Sequence, residues 1–288
     1  HPKSSCTNQP EVKIMALSVR TNVAAIGATS QLNKTQSSLT KSLERISSGL
    51  RINSAADDAA GLSVATSMDS DNTSIKQAMR NTNDGISMIQ TAEGGANEVY
   101  NILTRMRELA VQSSNQTYSS TDRNQMSIEF NALRKEIGRI ATTANFNSIS
   151  VLNSTKTLTF QIGLHNNSDN RFNMVLASVN LSIGALAIST GSVSLGGATS
   201  LVSSANSAIT AIDTALVSVN NARAHLGAFQ NRLESTLNEA SNASENLASA
   251  ASRIIDVDYA QESSAMTRYQ IMQQAGVASL GQAKAIPQ

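Results

Sequence analysis

One long heptad pattern in the second half of the chain restricts the fold more than any other feature. Between Ala205 and Ile254 the mainly apolar residues recur at alternating spacings of four and three, with polar exceptions at Arg223, Gln230 and Ser244. This spacing predicts a helix with a narrow apolar seam, about 75 Å long at 1.5 Å per residue. Such a helix cannot fold back on itself, so other helices must cover its seam. The predicted seam residues are Ile209, Ile212, Leu216, Val219, Leu226, Leu233, Leu237, Leu247 and Ile254.

The first half of the chain supplies candidate partners for that helix. Near its start, apolar residues recur every seven positions and others take the intermediate positions, which predicts a second seam. The residues of this seam are Leu32, Leu39, Leu43, Ile46 and Leu50. A break in the helix is expected at Gly49, because glycine favours the ends of helices.

Further helices are predicted before the middle of the chain. Residues 52–68 are rich in Ala and Ser and are interpreted as a connector with some helix. Residues 70–113 carry two adjacent apolar stripes, which predict a long helix in contact with more than one neighbour. A polar turn follows and offers Ser120, Thr121 and Asp122 as N-caps of the next helix. That helix is predicted from the spacing of Met126, Phe130, Leu133, Ile137, Ile140 and Ala144.

The period of the pattern changes in the middle of the chain. Apolar residues alternate over residues 158–162 and again over 172–176, which predicts a β-hairpin with one apolar face. A further alternation over 179–183 is a candidate for a third strand. Residues 191–200 are rich in Gly, Ser and Thr and are predicted to form a loop.

Together these elements predict a mainly α fold. We expect a long antiparallel coiled-coil helix bundle that pairs the N- and C-terminal halves, with a small β-hairpin region at the tip and both termini at the other end. The composition favours thin bundles, because aromatic residues make up only 3% of the chain and Trp is missing. The last segment, residues 263–288, has a weak seam and is expected to become ordered only against other chains.

Several classes of function are disfavoured by the composition. The net charge is +1 with scattered Lys and Arg, so no nucleic-acid footprint is expected, and no apolar run is long enough to insert into a membrane. Cys6 is the only cysteine, and the three histidines lie far apart. Asp57, Asp58, Asp256 and Asp258 are interpreted as solvated or capping carboxylates, because no His or Cys accompanies them. We therefore predict no enzyme, no metal site and no cofactor.

Several segments resemble bacterial flagellins, in order and with sensible spacing. The segments are SSGLRINSAADDAAGL at 47–62, LTRMRELAVQ at 103–112, FN at 146–147, QIG at 161–163, LGAFQNRLE at 226–234, SRIIDVDYA at 252–260 and QQAG at 273–276. The resemblance covers roughly residues 15–288.

The resemblance implies a division of the chain. In the family, an inner-core helix and connector correspond to residues 15–58, a rod domain to 59–251 with a β region at about 146–200, and a C-terminal inner-core helix to 252–288. The short middle implies a small flagellin without a large variable outer domain. Residues 1–14 precede the family's usual start and are interpreted as a tag, a misassigned start or an extension.

The resemblance also implies a function and partners. Flagellins are secreted structural proteins that leave the cell through the flagellar export apparatus and polymerise into the extracellular filament that drives motility. The partners expected from the family are other flagellin subunits, the filament cap, the hook–filament junction proteins, an export chaperone and the export apparatus.

A contact patch is implied for the monomer. In flagellins that activate the Toll-like innate-immune receptor, the matching positions are Arg105, Leu109, Gln112 and Glu129, and the same positions are buried between subunits in filaments. These four residues are therefore predicted as a patch for subunit contact and receptor contact.

Three other functions would leave different patterns in the sequence. A hook–filament junction protein would share the terminal heptads but match the flagellin segments less completely. A surface adhesin on a flagellin scaffold would need an elaborate central domain, and an enzyme would need catalytic residues that the pattern does not offer.

Overall fold

The computed structural model describes residues 22–189, 195 and 201–285, with the backbone alone at 201–202. Over these residues the helices are α1 (Val23–Ser48), α2 (Ala59–Ser114), α3 (Ser120–Thr143), α4 (Leu201–Ile255) and α5 (Tyr259–Ala285). Two short antiparallel strand pairs follow α3, namely β1 (Asn145–Phe146) with β2 (Ile149–Ser150) and β3 (Thr157–Gln161) with β4 (Arg171–Val175). The predicted mainly α fold with a small β region is confirmed.

The chain forms two compact units. The terminal unit contains the described residues up to Thr66 together with those from Ala250 onward, and the central unit is Ser67–Ser249. The predicted extra segment 1–14, the start of the predicted inner-core segment, the predicted loop 191–200 apart from Leu195, and residues 286–288 lie outside the described residues. Among the helices that are described, none has an apolar stretch long enough to cross a membrane.

The central unit closes around one apolar core. Helices α2, α3 and α4 and the segment between α3 and α4 all contribute side chains to it, from Met88 on α2 to Leu233 on α4. Burying a large apolar side chain of this kind contributes about 1.5–3 kcal/mol. The predicted pairing of the first-half helices with the returning helix is therefore confirmed within this unit.

The buried face of α4 differs in part from the predicted seam. From Ala205 to Leu233 every seventh residue is fully buried, but the intermediate buried positions are alanines rather than the predicted Ile209 and Leu216, which are only half-buried at the edge of the core. Alanine leaves room for neighbouring backbones to approach, while the larger side chains cover the margin. The fully buried residues are Ala205, Ala208, Ile212, Ala215, Val219, Ala222, Leu226 and Leu233. The remaining predicted seam residues, Leu237, Leu247 and Ile254, are half-buried.

The buried face of α3 also differs from the predicted face. Phe130 and Ile137 are buried as expected, but Met126, Leu133 and Ile140 are only half-buried. The buried face of α3 consists of Arg123, Ser127, Phe130, Arg134, Ile137 and Ala141. One of these polar residues reaches out of the helix: the Nη2 of Arg123 donates to the backbone oxygen of Asn115 at 2.9 Å.

The start of α3 lies one residue earlier than predicted. Ser119, rather than Ser120 or Thr121, is the N-cap: its hydroxyl accepts from the backbone N–H of Asp122 at 3.2 Å. The carboxylate of Asp122 accepts in return from the backbone N–H of Ser119 at 3.0 Å. This reciprocal capping box satisfies two donors that would otherwise be unpaired at the helix N-terminus.

The predicted hairpin is confirmed as β3 and β4. Leu158 lies opposite Met174 and Phe160 lies opposite Phe172, so the alternating apolar residues share one face. The prediction of a possible third strand over 179–183 is wrong, because residues Leu176–Val179 form a 3-10 helix and the chain then turns. Those apolar side chains still enter the core, but from irregular backbone.

Two elements were not anticipated. The β1–β2 pair turns at Asn147 and Ser148, both with positive φ (47° and 65°), as in the turns that two-residue hairpin loops favour. Helix α2 begins at Ala59, well before the predicted residue 70. The carboxylate of Asp58 accepts from the N–H of Gly61 at 2.9 Å and satisfies its first turn, and the small residues that suggested a connector are compatible with a helix.

In the terminal unit, α1 and α5 lie antiparallel. The side chain of Asn22, at the start of α1, donates to the backbone oxygen of Ala283 near the end of α5 at 2.8 Å. Arg45, near the end of α1, lies 3.9 Å from Glu262 near the start of α5. The predicted break at Gly49 is confirmed: Gly49 caps α1 with a φ of 75°, a conformation that glycine adopts without strain.

Candidate functional site

The terminal unit leaves much of its apolar surface uncovered. On α1 the side chain of Ile26 is exposed, and on α5 those of Ile271 (61% exposed), Met272 and Val277 are exposed. No residue of α5 is buried. Over the described residues, nothing in a single copy covers these large side chains on the two adjacent helices.

The seam between α1 and α5 is thin. Leu39 is the one large apolar residue of α1 that is buried, and the other buried residues of this helix are Thr35 and Ser42. Leu32 is half-buried and contacts α5 at Gly276, where an added Cβ would lie 3.2 Å from a methyl group of Leu32. Next to it, the side-chain amide of Gln273 donates to Gln36.

The seam predicted for the first half of the chain is only partly formed. Leu39 is buried, and Leu32, Ile46 and Leu50 are half-buried. Leu43 is 48% exposed and does not belong to the seam. The intermediate positions facing α5 are instead small or polar, which brings the helices close but buries little apolar surface.

The ends of α1 and α4 are joined at one place, which we call the clasp: residues 49–51 and 254–257. The backbone N–H of Arg51 donates to the oxygen of Ile255 at 2.6 Å, and the N–H of Val257 donates to the oxygen of Gly49 at 3.0 Å. The guanidinium Nη2 of Arg51 also donates to the oxygen of Ile254 at 2.5 Å. The clasp therefore satisfies carbonyl groups that have no intrahelical partner at the C-terminus of α4.

The predicted carboxylates take structural roles in the terminal unit. Asp258 caps α5 by accepting from the N–H of Ala260 at 2.9 Å, and Asp256 accepts from the hydroxyl of Ser252 at 2.6 Å. Asp57 accepts from the Nζ of Lys41 at 3.2 Å, and this hydrogen bond holds the pKa of Asp57 below its usual value. Over the described residues, no group of three or more His, Cys, Asp or Glu side chains is arranged to hold a metal ion.

The predicted contact patch of the central unit is built around an exposed ion pair. The guanidinium of Arg105 donates through Nε and Nη2 to the Oε1 of Glu129 at 3.0 and 2.9 Å. Its Nη1 donates to Glu108 at 2.9 Å. These hydrogen bonds, with the one to Glu108 contributing most, raise the pKa of Arg105 above its usual value.

The other two predicted patch residues are placed differently. Gln112 is exposed and its side-chain amide donates to the hydroxyl of Tyr118 at 3.1 Å. Leu109 is only 2% exposed and belongs to the core, so its side chain is not part of the surface. Glu108, which the sequence reasoning missed, joins the patch because a residue three positions from Arg105 lies on the same helix face.

A second ion pair on α2 has the same chemistry but a different neighbour. Arg107 donates through Nε to Asp213 on α4 at 2.7 Å, with both side chains close to half exposed. This pair links α2 to α4, whereas the pair of Arg105 and Glu129 links α2 to α3. The two pairs are therefore matched in exposure but lie between different helices.

Comparison with known proteins identifies related chains. A family model described as the bacterial flagellin N-terminal helical region matches residues 19–157, and one described as the bacterial flagellin C-terminal helical region matches residues 209–288. A flagellin of Halalkalibacterium halodurans is 44% identical over 249 residues, which are 86% of this chain and 89% of that protein. The flagellar filament 33 kDa core protein of Treponema phagedenis is 39% identical over 273 residues, 91% of this chain and 94% of that protein.

A solved structure matches the fold more distantly. It is described as a putative flagellar hook-associated protein from Vibrio parahaemolyticus, with a TM-score of 0.55 over 69% of this chain and all of that chain. At 15% identity this likeness shows the fold alone.

Proposed function

The chain belongs to the bacterial flagellin family and is a flagellar filament subunit, and we propose that it polymerises through its terminal unit into a secreted, extracellular filament that drives motility. The observation that carries the proposal is the uncovered apolar surface of α1 and α5, where no residue of α5 is buried. Family membership supports the same function, because the matching regions include both helical ends of flagellins.

The energetics of the terminal unit support assembly. Each exposed large apolar side chain, such as Ile26 or Ile271, gains about 1–2 kcal/mol when a neighbour buries the part that is still exposed. A helix with no buried residue gains little from packing in a single copy, and packing is what supplies most of the stability of helices in proteins. Contacts with neighbouring copies would therefore stabilise α1 and α5 in a way that one copy does not.

Family membership supports the remaining parts of the proposal. Residues 15–58 and 252–288 would line the filament core, and 59–251 would form the outer rod. The filament cap, the hook–filament junction proteins, the export chaperone and the export apparatus would be its partners during secretion and growth. The flagellin matches favour a filament subunit over a hook–filament junction protein, and the short β region disfavours an adhesin.

The proposal is tested by removing residues 263–288. The truncated chain is expected to stay monomeric when seeded under conditions where the full chain forms filaments visible by negative-stain microscopy. A circular dichroism melt of both chains checks that the central unit still folds. Filaments that form equally well from the truncated chain would contradict the proposal.

We also propose that the monomer is recognised by the innate-immune flagellin receptor through the patch of Arg105, Glu129 and Gln112. The exposed ion pair of Arg105 and Glu129 favours this second function, because its charges are accessible in a single copy. Leu109 would act only by supporting α2 from the core.

A matched pair of double variants tests recognition. Arg105→Ala with Glu129→Ala is expected to lower the response of receptor-expressing reporter cells to soluble monomer. Arg107→Ala with Asp213→Ala removes an ion pair of similar exposure between α2 and α4 and is expected to leave the response unchanged. Equal responses from both double variants would remove the receptor proposal, and Leu109 is left intact because its loss would disturb the core.

A further inference from the structure

We propose that Arg51 is a positioning residue for assembly, which fixes the register of α5 along α1 by holding the clasp closed. The inference rests on the proposed function, because register matters when neighbouring copies must meet the exposed side chains of both helices at once. It is drawn from the contrast between a weak helix seam and a dense set of hydrogen bonds at the clasp.

The seam itself distinguishes poorly between registers. The residues of α5 that are half-buried recur at spacings of four and three, so a shift by one heptad presents the same stripe to α1. Only three of them are large and apolar, and none is buried. The half-buried residues that follow this spacing are Glu262, Met266, Tyr269, Gln273, Gly276, Leu280 and Ala283.

The clasp, in contrast, permits one register. Helix α5 begins at Tyr259, so only residues 256–258 separate it from α4. A shift by one heptad would move α5 by about 10 Å at 1.5 Å per residue. The four Cα–Cα steps from Ile255 to Tyr259 span at most about 14 Å when fully extended, so this connection cannot lengthen by a further 10 Å while the Val257 N–H is held by Gly49. A closed clasp therefore excludes the shifted arrangement.

Arg51 is the residue on which the clasp depends. Its backbone N–H donates to the carbonyl of Ile255 and its guanidinium donates to the carbonyl of Ile254. One residue therefore joins the two segments of the clasp through two hydrogen bonds. A cation at this place is also favourable for the negative end of the α4 dipole. Gly49 allows the two segments of the clasp to lie close together. A Cβ added there would lie 3.1 Å from the hydroxyl of Tyr259, the first residue of α5, which is tighter than an ordinary contact.

The register can be read by chemical cross-linking of the full chain. Cys6→Ser first removes the only native thiol. Gln36→Cys with Gln273→Cys reports the observed register, because these side chains touch. Gln36→Cys with Met266→Cys, or with Leu280→Cys, reports a shift by one heptad in either direction. A short bis-maleimide is applied to the soluble chain and to filaments seeded with excess unlabelled chain.

Arg51→Ala is expected to lower the ratio of observed-register to shifted product by about tenfold, the size expected for loss of one charge-assisted hydrogen bond. Arg51→Lys keeps a cationic donor and is expected to restore part of the ratio. Arg268→Ala removes an exposed cation from α5 and serves as the matched control, with no change expected.

Each other outcome overturns the proposal. An equal ratio for Arg51→Ala and Arg268→Ala would show that Arg51 does not set the register. Loss of all products alike in Arg51→Ala would show that it only supports folding, and absence of the observed-register product in the parent would show that the pairing itself is wrong. A parent that gives this product in solution but never polymerises would instead contradict the proposed function alone.

Discussion

The central and terminal units use the same helical periodicity but finish their packing differently. In the central unit, α2, α3, α4 and the β region bury one continuous apolar core. In the terminal unit, the apolar residues that are buried over its described residues are Leu39, Ile52 and Ala65. A heptad pattern therefore predicts a helix and a contact face, but not whether the contact is made within one chain or between chains.

The two units also differ in what occupies the intermediate positions of their seams. On α4 these positions hold alanines between fully buried large residues, so that Ile212 and Val219 remain in a complete core. On α1 they hold Thr35 and Ser42, opposite a helix that offers glycine and glutamine. The first arrangement stabilises a single copy, and the second leaves stability to be gained from neighbours.

The largest expected effect comes from comparing a Leu→Ala substitution in the central unit with one in the terminal unit. Leu103→Ala removes a fully buried side chain of the central core and is expected to lower its free energy of unfolding by about 2–5 kcal/mol in urea denaturation. Leu39→Ala is expected to leave that central transition unchanged and to reduce filament formation. A shift of the central transition by Leu39→Ala as large as that by Leu103→Ala would contradict this difference between the two units.

A second prediction compares two exposed isoleucines. Ile271→Ser on α5 is expected to raise the critical concentration for polymerisation by about tenfold, because a neighbour no longer gains roughly 1.5 kcal/mol by burying the side chain. Ile128→Ser removes an isoleucine that is 70% exposed on α3 in the central unit. Sedimentation of filaments at increasing protein concentration measures both, and an equal rise for Ile128→Ser would show that the central unit carries as much of the subunit contact.

The sequence predicted the helices and the hairpin because each has a strong local period. The register of Phe160 opposite Phe172 follows from alternation alone, and the break at Gly49 follows from the needs of a helix end. The exact buried face of α3 did not follow, because Arg123 and Arg134 are buried and the predicted Leu133 is only half-buried. Long side chains can cover a core with their methylene groups, and spacing rules do not count that contribution.

The candidate site was predicted less completely. Arg105 and Leu109 are four residues apart, which leaves them about 40° apart around the helix, and the edge of the core falls between them. The clasp was not anticipated, because it joins residues such as Arg51 and Ile255 that are distant in sequence. One sequence without its tertiary contacts offers no periodic pattern for such a hydrogen bond.

A third prediction concerns a local feature that stabilises the central unit without adding to its core. Ser119→Ala removes the N-cap of α3 and is expected to lower the free energy of unfolding of the central unit by about 1 kcal/mol. The same change is expected to raise the pKa of Asp122, which the hydrogen bonds from Ser119 hold below its usual value. Ser120→Ala, one residue into the helix, is the control for urea denaturation, and an equal loss there would contradict the capping role.

The smallest expected effect is a pH dependence confined to the terminal unit. The hydrogen bond from Lys41 lowers the pKa of Asp57 in the folded chain. The ionised carboxylate therefore stabilises the fold at pH values above its unfolded pKa, near 3.8. This stabilisation is lost as the pH falls through the lower pKa of the folded state. Lys41→Met is expected to bring the pKa of Asp57, followed by carboxyl NMR, back toward 3.8. Parent and variant should then differ in amide exchange around residue 57 at neutral pH and converge in acid. Lys34→Met, an exposed lysine on the same helix, should cause neither change. A difference that persisted below the folded pKa would show that Lys41 acts through packing of its stem instead of through charge.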